Sequence, residues 1–269
     1  MKIALCIKQV PDTSDIKWTE HNTIQREGLE SILNPYDVYA IEAALQIKHE
    51  CSDVEVTAIT MGPLQADEIL RKAIALGVDK GVLVTDRKFA GADTYATGKT
   101  LAAAIKKAVP DFDIVICGQF AIDGDTAQTG PSIANHLNIP QVTFVKKLVK
   151  CNENSIVLTR DIDDGLETVE TNIPVLLCVL KGDKEPERAR INGIIKAQRA
   201  DIKLLSLEDL GLSAEEVGLK GSPTYVSKAF RPVIEHKCEK IDFCENICEL
   251  IFEKIDSYGV IKKGDSNAE

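Results

Sequence analysis

None of the eight cysteines of this 269-residue chain form a Cys-x-x-Cys pair, so neither a zinc site nor an iron–sulfur signature is present. No uninterrupted apolar stretch reaches the length that spans a membrane. The apolar run at the N-terminus is broken by Lys8-Gln9-Val10-Pro11-Asp12 and lacks a small-residue cleavage site. No secretory signal is therefore expected, and the thiols should stay reduced in a cytoplasm. Basic residues are outnumbered: Lys+Arg 32 against Asp+Glu 42 leaves −10, which argues against nonspecific binding to nucleic acid or an anionic membrane. There is no Gly-x-Ser-x-Gly elbow, and His21, His49, His136 and His236 have no triad-like companions. No catalytic side chain and no metal site are expected, and the histidines read as solvated or capping groups. Cys238, Cys244 and Cys248 read as packing thiols.

What remains is a soluble globular chain, 44% apolar and 28% charged, long enough for one large domain or two small ones. Buried-strand patterns occur at Lys2–Ile7, Val54–Ile59, Lys80–Val84 and Asp113–Cys117, separated by helical spacing over Asp37–Lys48, Leu64–Leu76 and Thr94–Val109. Strands alternating with helices of this length predict a doubly wound α/β fold with a mostly parallel sheet covered on both faces. Gly62-Pro63 marks a helix start, Gly77 a helix end, and Asp93 or Thr94 can cap the third helix. Beyond Pro140, the segments Gln141–Lys150, Ser155–Asp161, Glu167–Thr171 and Val175–Leu180 predict antiparallel extensions at the sheet edge. Asp183–Gln198 is charged, contains Pro186 and reads as an exposed excursion; a final helix is expected over Phe243–Tyr258, with disorder from Lys262.

In such sheets ligands bind beyond the C-terminal strand ends, where the strand order reverses, in a crevice lined by the loops after the first and fourth strands. The first of these is Cys6–Asp12. The second is Gly118–Pro131, rich in glycine, threonine and glutamine and running into a helix over Ser132–Leu137. Such a loop offers backbone N–H groups, hydroxyls and a favourable dipole to a phosphate. Asp123 and Asp125 would repel an anion, so contacts to hydroxyls or amides that hold the loop are expected of them; two carboxylates fall short of a cation cage. Gly98-Lys99-Thr100 imitates the end of a P-loop, but Asp93 stands where the upstream glycine is needed, and no Gly-x-Gly-x-x-Gly follows the first strand.

Several motifs coincide: Cys6-Ile7-Lys8-Gln9-Val10-Pro11-Asp12, Leu33-Asn34-Pro35-Tyr36-Asp37 with Glu42-Ala43-Ala44-Leu45, and Met61-Gly62-Pro63. To these add Gly118-Gln119-x-Ala121-Ile122-Asp123-x-Asp125-x-x-Gln128-Thr129-Gly130 and Thr159-Arg160-x-x-x-x-Gly165-x-Glu167-Thr168 followed by Pro174. Together they resemble the beta subunit of electron-transfer flavoprotein over essentially the whole chain. The resemblance implies an adenine-nucleotide alpha-hydrolase-like, Rossmann-like fold with an antiparallel β extension. It also implies a heterodimer with a larger alpha subunit that carries a mobile FAD. Domains are expected over residues 1–200, the nucleotide-binding part, and 201–269, a C-terminal arm and helix on the partner subunit.

By the same resemblance Cys6, Asn34, Asp37, Met61, Asp123, Asp125, Thr126, Gln128 and Thr129 fall on nucleotide-binding positions. The segment Asp86–Thr97 looks like that of electron-bifurcating members, which makes Thr94 and Thr97 candidate flavin contacts. The implied function is to bind FAD, accept a hydride from NADH, and divide the electrons between ferredoxin and, through the alpha-subunit FAD, a flavin-dependent dehydrogenase of acyl-CoA or hydroxyacid type. The alternative is a relay subunit with structural AMP that passes electrons from a dehydrogenase to a quinone reductase. Arg160 is implied beside the flavin or at the subunit interface. Ile191, flanked by Arg188 and Arg190, aligns with the family's partner-docking loop, as an apolar anchor ringed by steering charges would.

Overall fold

The computed structural model describes residues 1–12, 31–182, 186–227, 240 and 243–259. His21, His236, Cys238, residues 183–185 of the excursion and the tail from Lys262 lie outside these. The chain divides into two compact units, Met1–Ala229 and Phe230–Glu269.

The first unit is built on β1 (Lys2–Cys6), β4 (Glu55–Met61), β5 (Lys80–Val84) and β6 (Ile114–Gly118), all parallel. In β1 the side chains of Ile3 and Leu5 enter one core and those of Ala4 and Cys6 the other. Both faces are covered, which is why the run is apolar without alternation. The helices α1 (Pro35–Glu50) and α2 (Asp67–Leu76) cover the first face, α3 (Thr94–Ala108) and α4 (Thr129–Leu137) the second. Gly77 closes α2 at φ +132° and the Asp93 side chain caps α3, both as the sequence predicts. A small antiparallel ribbon, β2 (Gln9–Pro11) with β3 (Ser31–Leu33), stands apart from the sheet.

The nine-stranded sheet runs in the order β11 (Ile202–Leu205), β5, β4, β1, β6, β10 (Val175–Val179), β7 (Gln141–Cys151), β8 (Ser155–Ile162) and β9 (Gly165–Asn172). Of the segments expected as antiparallel edges, only β8 (Ser155–Ile162) and β9 (Gly165–Asn172) are wholly so. The strand β7 (Gln141–Cys151) pairs antiparallel with β8 but parallel with β10 (Val175–Val179), which in turn lies parallel to β6 inside the sheet. All five residues of β10 are buried, the signature of an interior parallel strand in place of the antiparallel edge that the sequence suggests for Val175–Leu180.

The described part of Asp183–Gln198 is mostly exposed, as the sequence suggests, but it is not a mere excursion from the fold. Residues 191–199 form α5 (Ile191–Arg199), which packs on α2, and β11 (Ile202–Leu205) follows as an edge strand beside β5. Pro186 precedes this helix and so does not interrupt it. The Arg71 side chain fastens the pair: its Nη1 donates to the carbonyls of Ala197 (2.7 Å), Gln198 (3.3 Å) and Ala200 (3.3 Å) while Nε bonds Asp67 at 2.6 Å. These bonds satisfy the C-terminal carbonyls that a helix leaves without partners. The short helix α6 (Leu207–Leu210) follows, opened by a capping box between Ser206 and Asp209.

In the second unit α7 (Ile247–Ser257) has no buried residue, and Leu250, Ile251, Phe252 and Ile255 are exposed. Cys248 is exposed too, so it is not the packing thiol the sequence suggested. No helix of the described residues is long and apolar enough to cross a membrane. Replacing Arg71 with Met, which keeps the stem and removes the donors, should lower the stability to urea by about 1–2 kcal/mol. Amide exchange at Ala197–Ala200 should rise more than in β1 or β6.

Candidate nucleotide-binding site

The strand order reverses between β1 and β6, with Cys6 paired to Cys117 across the break. Beyond these ends the β2–β3 ribbon returns the chain so that the Asn34 N–H donates to the Lys8 carbonyl at 2.9 Å. Pro35 then opens α1 with its ring in the first turn, where no N–H is needed.

Two buried polar residues at this point hold the crevice together. Asp37, 4% exposed, accepts the Lys8 N–H on Oδ2 at 2.7 Å and the Gly118 N–H on Oδ1 at 3.1 Å. Its carboxylate thus spans the ends of β1 and β6. A Cβ at Gly118 would collide with Asp37 Oδ1, so only glycine lets the carboxylate approach. Asn34, 1% exposed, donates through Nδ2 to the Phe120 carbonyl at 2.8 Å and accepts the Ile122 N–H on Oδ1 at 3.3 Å. The side chains of both residues, assigned by resemblance to the nucleotide, are thus occupied in pinning the two loops.

The loop Gln119–Gln128 runs out to solvent from this hub. Asp123 forms an ion pair with Lys8 Nζ at 2.7 Å, not the hydroxyl or amide contact the sequence suggested. The pair neutralises one of the two loop carboxylates. Asp125 and Ala127 adopt φ +50° and +55°, with the Asp125 N–H turned back to the Ala121 carbonyl. The N–H groups of Thr126 and Ala127 meet no protein acceptor among the described residues. The helix α4 begins at Thr129, earlier than expected, so this residue stands in its first turn with its donors available. Gln128 Oε1 accepts from Thr94 Oγ1 at 3.0 Å, joining the loop to the N-terminus of α3.

The structure therefore brings Cys6, Asn34, Asp37, Asp123, Asp125, Thr126, Gln128, Thr129 and Thr94 to one edge of the sheet. Met61 ends β4 at that edge, and Thr97 lies one turn along α3 from Thr94. The Cys6 thiol is buried beneath the crevice, and burial, then Asp37 and Cys178, push its pKa up to about 12, so it is a packing group and no nucleophile. Arg160 stands opposite Glu167 on the β8–β9 pair, its Nε 3.0 Å from a carboxylate oxygen without hydrogen-bond alignment. Ile191, 76% exposed, begins α5, whose Lys196 reaches the Val78 carbonyl at the turn into β5; it therefore sits toward the N-terminal strand ends, away from the crevice. Arg188 and Arg190 flank it in solvent, Arg190 facing Glu187 at 3.8 Å.

Two residues went unnoticed in the sequence. Lys8 is legible afterwards as a cation at the end of a buried strand. Gln119 is buried and accepts the Phe144 N–H at 2.6 Å, holding Phe144 at φ +58° where β7 bulges, and nothing local signals it. His136 packs edge-on against Tyr95 at 4.9 Å and is less solvated than expected.

Burial drives the Asp37 pKa up to about 7, against the opposing pull of the Lys8, Asn34 and Gly118 hydrogen bonds and the Lys8 charge. A carboxyl whose folded pKa lies above its unfolded value stabilises most below about pH 4 and loses that contribution as pH rises towards 7. Wild type should thus outlast Asp37→Asn by more at pH 5 than at pH 8 in urea unfolding. At every pH the variant should be weaker by about 1–3 kcal/mol, because an amide cannot accept both N–H groups.

Comparison with known proteins agrees with this geometry. Residues 21–210 match the family model described as the electron transfer flavoprotein domain. The chain is 45% identical over 266 residues to the electron transfer flavoprotein subunit beta of Thermoanaerobacterium thermosaccharolyticum, covering 97% of this chain and all of that one. It is 46% identical over 233 residues to the caffeyl-CoA reductase-Etf complex subunit CarD of Acetobacterium woodii, covering 86% and 88%. It is 41% identical over 239 residues to the acryloyl-CoA reductase electron transfer subunit gamma of Anaerotignum propionicum, covering 86% and 89%. With an α/β crevice of this form and likeness along nearly its whole length to a beta subunit, the chain belongs to the electron-transfer flavoprotein family.

Proposed function

We propose that this chain is the beta subunit of an electron-bifurcating heterodimer and binds FAD in the crevice between β1 and β6. The observation that carries the reading is the open loop Asp123–Gln128. It ends at the N-terminus of α4 with N–H groups at Thr126 and Ala127 that meet no acceptor among the described residues, and with hydroxyls at Thr126 and Thr129. That donor set suits the phosphates of an adenine nucleotide, and the Lys8–Asp123 pair removes a charge that would oppose them. The Thr94–Gln128 bond draws the Asp86–Thr97 segment to the same loop, and the resemblance of that segment to electron-bifurcating members favours FAD over AMP. The names of two relatives, a caffeyl-CoA reductase-Etf complex subunit and an acryloyl-CoA reductase electron transfer subunit, support a place in a reductase assembly.

When bound, a flavin at this site would supply two-electron chemistry with NADH and one-electron chemistry with ferredoxin and with the flavin of the larger subunit. The chain's own work is to bind and orient. Thr126, Thr129 and the Ala127 N–H take the phosphates, Thr94 and Thr97 line the approach, and Asn34 and Asp37 keep the two loops at a fixed distance. No side chain is needed as acid or base. The exposed apolar face of α7 suits a C-terminal arm over residues 201–269 that packs on the alpha subunit, although β11 within that span joins the sheet. Ile191, exposed between Arg188 and Arg190, suits the anchor for an acyl-CoA or hydroxyacid dehydrogenase. The complex works in the cytoplasm.

Nucleotide released from the purified heterodimer separates FAD from AMP. Two FAD and no AMP are expected; one FAD with one AMP would make the chain a relay subunit instead. Thr126→Ala or Gln128→Ala should speed loss of the beta-site nucleotide about tenfold while the alpha-site flavin stays bound. Ile191→Asp should slow electron delivery to the dehydrogenase without altering nucleotide content, and unchanged delivery would move the docking site elsewhere.

A further inference from the structure

The segment after α6 contains two hydroxyl residues, Ser222 and Thr224. It crosses the entrance to α3 about 130 residues away in sequence. Asp93 is where the two meet. Its Oδ1 accepts the Tyr95 and Ala96 N–H groups, each at 3.0 Å, as the cap of α3. Its Oδ2 accepts the Thr224 N–H at 3.0 Å and the Thr224 hydroxyl at 2.8 Å. The Asp93 N–H donates to Ser222 Oγ at 2.8 Å, and that hydroxyl donates onward to the Gly218 carbonyl at 2.7 Å. All but the last of these bonds are made by Asp93, the residue immediately before Thr94, whose own hydroxyl meets Gln128 at the start of α4.

The strap is firmly seated. Val217 is buried in the second core, and Glu216 pairs with Lys99 of α3 at 2.7 Å. The Leu219 N–H donates to the Ala90 carbonyl at 3.1 Å. Gly218 turns at φ +59° with its α-carbon against the Lys88 carbonyl, a position that any Cβ would fill with a clash. These contacts hold the strap to the loop between β5 and α3 on both sides of Asp93.

We infer that Ser222 and Thr224 are positioning residues for the nucleotide loop, acting through Asp93 and Thr94 on Gln128. A cap in solvent would need only Oδ1. Here the second oxygen and the backbone of Asp93 are also engaged, so the rotation of the first turn of α3, and with it the direction of the Thr94 hydroxyl, is set by a distant part of the chain. Hydrogen bonds to a carboxylate are stronger than neutral ones, so the Asp93 contacts are a firm link between the strap and the start of α3. The inference rests on the reading of the crevice as a nucleotide site.

The test uses the complex with the larger subunit and follows FAD and AMP retained by the protein after timed gel filtration. Thr224→Val and Ser222→Ala should each speed loss of the beta-site nucleotide about three- to tenfold, while the alpha-site flavin and the melting temperature change little. Thr224→Ser, which restores the hydroxyl, should return retention to the wild-type value. In a Thr94→Val background the Thr224→Val effect should vanish, because the path is already cut. Unchanged retention in Thr224→Val, or an effect that simply adds to that of Thr94→Val, would overturn the positioning role. A wild-type complex that holds no nucleotide besides the alpha-site flavin would instead overturn the functional reading on which it rests.

Discussion

A carboxylate buried between two strand ends organises this protein. Asp37 accepts backbone N–H groups from Lys8 and Gly118, and Asn34 beside it bonds both ways to the backbone of residues 120–122. Neither could be left unpaired so far from water without a cost of about 1–3 kcal/mol each. The ends of β1 and β6 are therefore held at a spacing that burial enforces, and the loop beyond them carries N–H groups that meet no acceptor among the described residues. Loop residues such as Thr126 can stay open because their neighbours are closed.

The alternation of strands and helices is legible in the sequence because each rests on a local signal. Apolar runs such as Lys2–Cys6 mark strands covered on both faces, Asp93 marks a cap and Gly77 an end. Elements whose identity depends on distant partners were not legible. β10 looks like one more strand after a hairpin until β6 and β7 are seen on either side of it, and α5 is stabilised by Arg71, more than a hundred residues earlier.

The candidate site divides in the same way. The donor-rich loop into α4 announces itself by composition, since glycine, threonine and glutamine before a helix suit an anion. Asn34 and Asp37 belong to no periodic pattern and came only from a family resemblance, while the Lys8 pair with Asp123 came from neither. The strap at Ser222 and Thr224 was invisible for the reason β10 was: its meaning lies in a residue 131 positions away. The crevice and the exposed Ile191 lie toward different ends of the sheet, so the proposed nucleotide site and the proposed docking residue can be altered separately.

The central claim is that the loop Asp123–Thr129 holds the phosphates of a nucleotide. A crystal or cryo-EM map of the complex with its larger subunit tests it most directly. Phosphate density within hydrogen-bond reach of the Thr126 and Ala127 N–H groups, with Asn34 and Asp37 still bonded to the backbone, is the predicted result. A nucleotide bound elsewhere on the chain, or a loop closed on itself with those N–H groups paired to protein carbonyls, would contradict it.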